Sequence, residues 1–144
     1  MAITSAICNS FKVQILTGTH NFTVTSGDTF NLALYTSSAT LNKSTTAYTT
    51  ANEVATATGY TAKGKALTSV TPVLSTDTAV CDFANVSWTS ASFTSRGCLI
   101  FNDTATGDPA VCAIDFGGDK TVTSGTFTIE FPAPNAGTAI IGIA

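Results

Sequence analysis

Histidine, aspartate and cysteine are the side chains of this sequence that could do chemistry, and their spacing decides which chemistry. His20 is the only histidine, and it lies two residues after Gly18 in the stretch GTHN. A histidine that acts as a general base needs a positioned nucleophile or water and usually an orienting carboxylate. The sequence has no Gly-x-Ser-x-Gly motif, no phosphate-binding glycine loop and no His/Cys zinc spacing. We therefore predict that His20 is a turn or packing residue, that no residue is catalytic, and that the chain is not an enzyme.

Four aspartates are the candidate oxygen ligands for a cation. Asp103 and Asp108 share one predicted loop, while Asp115 and Asp119 stand on either side of another. Calcium binds carboxylate oxygens, but the spacing of an EF-hand loop is absent. Aspartates in turns accept hydrogen bonds from neighbouring backbone N–H groups, and this role explains all four equally well. We predict no metal site and no cofactor.

The cysteines could instead form disulfides. Cys8, Cys81, Cys98 and Cys112 are few and widely spaced for a disulfide framework. A chain of 144 residues can also bury roughly 68–70% of the surface that its unfolded form exposes, so a stable core is possible without disulfide bonds. We expect four buried thiols that pack as small apolar groups. A bridge between Cys98 and Cys112 across a hairpin, or a bridge between subunits, is the alternative.

The composition is poor in charge. Only 10% of the residues are charged, against about 25% in an average globular chain, while 44% are hydrophobic. The six basic residues are scattered, so we predict no nucleic-acid partner. No apolar run is long enough to span a membrane, and the first residues lack a signal-peptide pattern, so we expect a soluble chain made in a cytoplasm. Low charge is compatible with dense packing against identical neighbours, as in a homo-oligomer within a particle.

Any candidate site must be positioned by β-strands, because extended segments dominate the apolar pattern. Residues 96–102 and 110–116 read as two apolar strands joined by a polar turn, which predicts an antiparallel hairpin. Each strand carries four apolar residues in succession, so side chains leave both faces and both need to be covered. We predict that this hairpin lies in the middle of a sheet.

The N-terminal segment has a different period. Ile3, Ile7, Phe11 and Ile15 recur every fourth residue, which predicts a helix over residues 4–16, capped at Thr4 or Ser5 and ended by Gly18. The β-branched residues of the segment leave a strand as the alternative. We divide the chain into an N-terminal helical segment, residues 1–20, and a β-sandwich domain, residues 21–144.

The remaining strands complete an all-β fold: an antiparallel β-sandwich or jelly-roll-like domain of about seven to eight strands with one N-terminal helix. Turns are expected at residues 25–28 and 117–119, and a long polar loop at 36–64 forms the exposed edge. The predicted strands are 30–35 (half-buried), 66–74 (with Pro72 at an edge or bulge), 78–83, 86–88, 126–131 (alternating) and 138–143.

Two further side-chain types could serve as ligand groups. Tyr35, Tyr48, Tyr60 and Trp88 could build a ligand platform, but strand periodicity favours packing roles for most aromatic residues. Arg96 is the only arginine, and we expect it to form a salt bridge or to donate hydrogen bonds to a turn carbonyl.

With these elements located, the sequence resembles a group of small virion structural proteins of tailed bacteriophages. The resemblance runs along most of the chain and is carried by strand and turn residues. The stretches are CNSFKVQILTGTHNF at 8–22, FNLALYTSSATL at 30–41, FTSRGCLIFND at 93–103 and AIDFGGDKTVTSGTFTIEFP at 113–132. It implies a multi-copy component of the virion, assembled in the host bacterial cytoplasm.

Within that group, a capsid decoration (cement) protein is the expected role, and a tail, tail-tip or fibre-associated receptor-binding module is the alternative. The implied partners are the major capsid protein or other virion subunits. A cement protein works by adding buried area between neighbouring subunits, where one standard interface hides roughly 1,600 Å². The surfaces we expect to make contact are the N-terminal helix face and the loop of residues 36–64.

Overall fold

Two antiparallel sheets and one short helix form the protein in the computed structural model, which describes residues 2–57 and 59–144. The larger sheet has the strand order β1-β7-β6-β2-β3 and the smaller sheet the order β4-β5-β8. The predicted all-β fold with eight strands and one N-terminal helix is confirmed. The elements in chain order are β1 (Ala6–Ile7), α1 (Asn9–Leu16), β2 (Phe30–Tyr35), β3 (Lys65–Ala66), β4 (Ser69–Ser75), β5 (Thr78–Phe83), β6 (Val86–Asn102), β7 (Ala110–Ile129) and β8 (Ile141–Ile143).

The hairpin of β6 and β7 is the centre of the larger sheet, as predicted. Leu99 faces Ala113 and Ile100 faces Cys112 in the antiparallel register, and these four side chains are buried. Strand β2 pairs with the other edge of β6, and β1 pairs with the other edge of β7. The runs of successive apolar residues therefore mark strands with neighbours on both edges and packing on both faces.

The prediction of a turn at residues 117–119 is wrong, because β7 continues through these residues. Ser95 pairs with Lys120 and Gly97 pairs with Asp115, so residues 116–119 of β7 bulge opposite Arg96 alone. Gly117 adopts a φ of +80°, which a glycine does without strain. A bulge bends a strand and increases its twist without ending it.

Beyond the bulge, β6 and β7 continue as a two-stranded ribbon made of residues 86–95 and 120–129. The predicted alternation of inward apolar and outward polar side chains, expected from residue 126 onward, is confirmed in the last part of β7. Phe127 and Ile129 are half-buried, whereas Thr126 and Thr128 are exposed. One face of the ribbon therefore packs on the body and the other presents hydroxyl groups to solvent.

Strand β2 is buried on both faces, so the prediction of a half-buried strand is wrong. On one face the Phe30 ring stacks on Phe22 with centroids 4.3 Å apart, and it also packs against Phe83 of the smaller sheet. On the other face, the Tyr35 hydroxyl donates to the Thr49 carbonyl at 2.7 Å. The loop of residues 36–64, expected to be an exposed edge, folds over this second face.

The N-terminal helix is shorter than predicted, because the residues expected to form its first turn pair with β7 as a strand. The backbone of Ala6–Ile7 pairs with β7, and the Ser5 hydroxyl accepts the Asp115 N–H instead of capping the helix. Helix α1 therefore begins at Asn9, after Cys8. Its end agrees with the prediction: Gly18, just past the helix, has a φ of +77°.

The smaller sheet confirms the expectation for Pro72. Strand β4 lies at an edge of this sheet, and its register with β5 shifts between Val70 and Val73. Both positions suit a residue that has no N–H to donate. Phe83 of β5 packs between Phe30 and Phe131, and these contacts join the two sheets.

Substitution of Gly64 should reduce the unfolding free energy more than substitution of Gly107. Both residues have a positive φ, but a Cβ at Gly64 would meet the Leu32 carbonyl oxygen at 1.8 Å, while nothing lies within 4 Å of a Cβ at Gly107. Gly107→Ala should cost about 1–2 kcal/mol of unfolding free energy from the backbone alone. Gly64→Ala adds an overpacking term and should cost about 3 kcal/mol or more, measured by urea unfolding. Equal costs for the two substitutions would contradict this close approach.

Candidate functional site

One carboxylate holds the loop of residues 36–64 against β2. Glu53 Oε1 accepts the Tyr60 hydroxyl at 2.7 Å and the Lys63 N–H at 2.8 Å, and its Oε2 accepts the Tyr48 hydroxyl at 2.6 Å. The Tyr60 oxygen itself accepts the N–H of Leu34 at 2.8 Å. This network covers the part of the β2 edge that lies beyond β3, where the Leu34 N–H would otherwise be unpaired.

The two tyrosines of this network remain protonated donors over the ordinary pH range. Burial, together with the hydrogen bond to Glu53, raises the pKa of Tyr48 to about 12. Burial also raises the pKa of Tyr60. Sequence reasoning missed the role of Glu53. The available signal was that Glu53 is the only acidic residue between residues 36 and 64.

Asp103 and Asp108 come together as the shared loop predicted, but a lysine occupies the space between them. Lys63 Nζ lies 2.9 Å from Asp103 Oδ1 and 2.8 Å from Asp108 Oδ2. These hydrogen bonds, first to Asp108 and then to Asp103, raise the pKa of Lys63. The same ammonium lies 5.7 Å from the centre of the Tyr48 ring. The pair of carboxylates therefore ties the hairpin turn to the loop of residues 36–64.

The other two aspartates lie at the bulge of β7. Asp115 Oδ1 accepts the N–H of Gly117 at 3.0 Å, which is the turn role expected for it. Asp119 Oδ1 pairs with Arg96 Nε at 2.9 Å, so the expected salt bridge of Arg96 is present. Within residues 2–57 and 59–144, no group of three His, Cys, Asp or Glu side chains is arranged to hold a metal ion.

His20 lies in the core, between aromatic rings and two amide side chains. Its ring centre is 4.9 Å from that of Phe11, and its Nε2 lies 2.9 Å from Gln14 Oε1. Its Nδ1 lies 3.1 Å from Asn102 Nδ2, which also donates to Asp28 at 2.8 Å.

The neighbours of Asn102 determine the protonation of His20. Asn102 Oδ1 accepts the N–H groups of Thr104 and Ala105, so its Nδ2 must face the histidine. His20 Nδ1 is therefore the acceptor, and Nε2 carries the proton that is donated to Gln14. This is the neutral ring, and burial lowers the pKa of His20 accordingly, with Asp28 opposing the shift.

Three of the four cysteines are buried as predicted, and Cys81 is half-buried. All four are free thiols. In the hairpin register Cys98 faces Ile114 and Cys112 faces Ile100, so the two cysteines are offset by two residues on one face. Burial raises the pKa of Cys112 to about 12 and also raises the pKa of Cys98. These thiols pack as small apolar groups.

The aromatic residues considered as a ligand platform serve the core. Tyr35, Tyr60 and Trp88 are each no more than 2% exposed. Tyr48 is half-buried and stacks on Phe101 with centroids 4.7 Å apart. The tyrosines hold the loop of residues 36–64 in place through their hydroxyls, and their rings fill the space beneath it.

One concave surface in the described part of the chain is an apolar groove, which we call the ribbon groove. Its volume is about 820 Å³. It runs between β1, the ribbon and the segment of residues 131–140, with Cys98 and Cys112 in its lining. Lys120 and Glu130 are its only charged lining residues. Its main apolar lining consists of Ile7, Ile114, Phe116, Phe127, Ile129 and Ile140.

A second groove, which we call the helix groove, lies between the end of α1 and the smaller sheet. Its volume is about 440 Å³. One wall is the end of α1 and the segment that follows it, from Ile15 to Thr23. The other wall is formed by side chains of the smaller sheet, namely Pro72, Ala79, Val80, Cys81, Ile141 and Ile143. Sequence reasoning did not find either groove, because each is assembled from segments far apart in the chain.

The chain is a small all-β protein of two packed sheets, and its described residues form the ribbon groove and the helix groove. No family model, no curated protein and no solved structure matches this chain. No helix in the described residues is long and apolar enough to cross a membrane.

Protein stability should fall as the pH drops below about 6.5, because His20 is held neutral in the folded state and charges more readily when unfolded. His20 has no effect on the unfolding free energy at a pH where it is neutral in both the folded and the unfolded state. The unfolding free energy decreases as the pH falls from about 6.5 toward the lowered pKa of His20 in the folded state. The slope should approach, at most, about 1.4 kcal/mol per pH unit.

Urea unfolding of the protein and of His20→Gln between pH 7.5 and 5.5 measures this effect. His20 is the only histidine, so the substitution should flatten the pH dependence even if it lowers the stability at pH 7.5. An unchanged slope in His20→Gln would show that another group is responsible.

Proposed function

We propose that this chain is a non-enzymatic structural protein of a tailed-phage virion, and specifically a capsid decoration protein that stabilises the particle through protein–protein contacts. The resemblance to small virion proteins supports a location in a virion. The ribbon groove supports a function through protein–protein contacts. An apolar groove of about 820 Å³ with two charged lining residues is suited to receive apolar side chains of another protein.

The groove combines features that favour a protein partner. The half-buried rings of Phe116 and Phe127 present apolar area from the bulge and from the ribbon. Aromatic residues are enriched and charged residues depleted at the centres of protein interfaces. The side chains of Lys120 and Glu130 supply one charge of each sign, which fits a polar rim around an apolar centre.

A decoration protein needs no strong single contact. Its major partner in this proposal is the capsid protein, repeated in a fixed lattice. Each copy buries area between neighbouring subunits, and multivalent attachment multiplies weak contacts without new chemistry. The low charge of the chain, 10% of its residues, reduces the desolvation cost when two such surfaces meet.

A tail or tail-tip subunit that binds a receptor is the second candidate. The observation that favours it is the outer surface of the loop of residues 36–64, where the exposed positions are mainly threonine, serine and alanine. Hydroxyl groups both donate and accept hydrogen bonds and so suit a polar ligand such as a carbohydrate. Copy number separates the two candidates. In purified virions, quantitative gel densitometry should show hundreds of copies for a decoration protein and only a few for a tip.

The ribbon groove should be required for particle binding. Ala139 is half-buried in the groove lining, whereas Ala136 is exposed in the same segment and outside the lining. Ala139→Arg places a long charged side chain in the groove and should reduce loading onto particles that lack the protein by about tenfold or more.

The matched substitution Ala136→Arg adds the same charge and should load like the unchanged protein. Loading is measured by co-sedimentation with particles, and thermal unfolding confirms that both variants fold. Normal loading of Ala139→Arg would exclude the groove as the contact surface.

A further inference from the structure

Strand β7 has an open edge along the ribbon. On one side β7 pairs with β6 over its whole length, but on the other side the two residues of β1 pair only with residues 112–113. The Ser5 hydroxyl then accepts the N–H of Asp115. Beyond this point, within the described residues, no main-chain hydrogen bond joins residues 116–129 to any element other than β6. An unpaired strand edge is a template for another strand.

The main-chain groups of Thr128 point to this open edge. Thr128 faces Ser87 of β6, and the Ser87 carbonyl accepts a hydrogen bond from the Lys65 ammonium on the far side of β6. Opposed residues of an antiparallel ladder either exchange both main-chain hydrogen bonds or both point away from each other. Because the Ser87 carbonyl points away from β7, the N–H and the carbonyl of Thr128 point away from β6.

Thr121 has the same arrangement at the other end of the ribbon. It faces Thr94 of β6, and their hydroxyl oxygens lie 2.9 Å apart, against 2.8 Å for Ser87 and Thr128. Side chains approach closely in the opposed pairs that exchange no main-chain hydrogen bonds. The open edge therefore presents the N–H and the carbonyl of both Thr121 and Thr128, for which residues 2–57 and 59–144 supply no main-chain partner.

The open edge carries a sequence pattern that is the same in both directions. Residues 121–128 are TVTSGTFT, with one Thr-apolar-Thr triplet before the central Ser-Gly and one after it. The four threonines are exposed, and Val122 and Phe127 are half-buried. The register with β6 shifts between Val122 and Gly125, so a bulge relates the two triplets. Two antiparallel copies of this segment match threonine with threonine on the outer face and apolar with apolar on the inner face.

Opposite charges flank the same segment. Lys120 precedes it, Glu130 follows it, and no charged residue lies between them. Both residues border the ribbon groove, and neither forms an ion pair in the part of the chain that the structure describes. An antiparallel second copy brings the Lys120 end of each strand beside the Glu130 end of the other, whereas a parallel copy would bring like charges together. The edge is therefore complementary to itself about a two-fold axis.

We propose that residues 120–130 of β7 pair with the same residues of a second copy of this chain in a two-fold dimer. Thr121 of each copy exchanges main-chain hydrogen bonds with Thr128 of the other, and the two ribbons form one sheet in the order β6-β7-β7-β6. In strand addition the main-chain hydrogen bonds supply affinity and the side chains beside them supply specificity. Edge pairing uses groups in the plane of the sheet, so the apolar face of the ribbon stays available to the capsid contact proposed above.

Solution mass measures the dimer without any particle. Sedimentation velocity of the purified full chain up to about 100 µM should show a dimer, and Thr128→Pro should raise its dissociation constant by about tenfold or more, because proline removes the N–H at the open edge. Thr128→Val is the matched control. It also loses the hydroxyl contact with Ser87 but keeps the N–H, so it should dimerise like the unchanged chain. Thermal unfolding confirms that both variants fold. A monomer at every concentration, or equal effects of the two substitutions, would overturn the proposal.

A charge exchange tests the antiparallel arrangement. Lys120→Glu and Glu130→Lys should each weaken the dimer about two- to fivefold, as expected for exposed pairs, and the double variant should restore it. Lys43→Glu makes the same change of charge at an exposed position of the loop of residues 36–64 and should leave the dimer intact. Additive losses in the double variant, or an equal loss in Lys43→Glu, would contradict the pairing. A chain that forms this dimer but fails to load onto particles contradicts only the proposed function.

Discussion

The structure depends on one constraint: the strands at its centre are apolar on both faces, and both faces must be covered. The hairpin of β6 and β7, together with β2, buries every side chain from Phe30 to Tyr35 and from Gly97 to Asn102. The smaller sheet, α1 and the segment around Phe22 cover one face. The loop of residues 36–64 covers the other. Most of the chain is therefore arranged around a three-strand centre, and its polar networks serve to fix those layers.

The covering layers are held by a few well-satisfied polar groups. Glu53 ties two tyrosines and the backbone of Lys63 into one network, and Asn102 joins His20, Asp28 and the hairpin turn into another. Buried polar groups of this kind contribute specificity when every member is satisfied. Lys63 adds a third connection, from the loop to the hairpin turn, through two aspartates. His20, Asp103 and Asp108, which were candidates for chemistry in the sequence, thus connect the packed layers in the structure.

The sequence predicted the features that depend on local pattern. The central hairpin, the alternation of Phe127 and Ile129, and the role of Pro72 follow from periodicity and backbone chemistry. It failed where tertiary contacts override the local signal. The first turn of the predicted helix became strand β1 because β7 offered an edge, and the turn at residues 117–119 became a bulge within β7. Burial of β2 on both faces depended on a loop whose sequence has no periodicity. The grooves depend on the relative placement of segments, which single-sequence patterns do not contain.

The apolar excess of the chain gives the account its functional direction. The chain combines 44% hydrophobic with 10% charged residues, and Leu16 and Leu74 are still more than 70% exposed. The function proposed above assigns the ribbon groove to a neighbouring subunit in a particle. A cryo-electron microscopy map of the virion with this chain located tests it most directly. The expected result is density of another subunit inside the ribbon groove. A chain whose groove opens to solvent in every copy, or a virion without this chain, would contradict it.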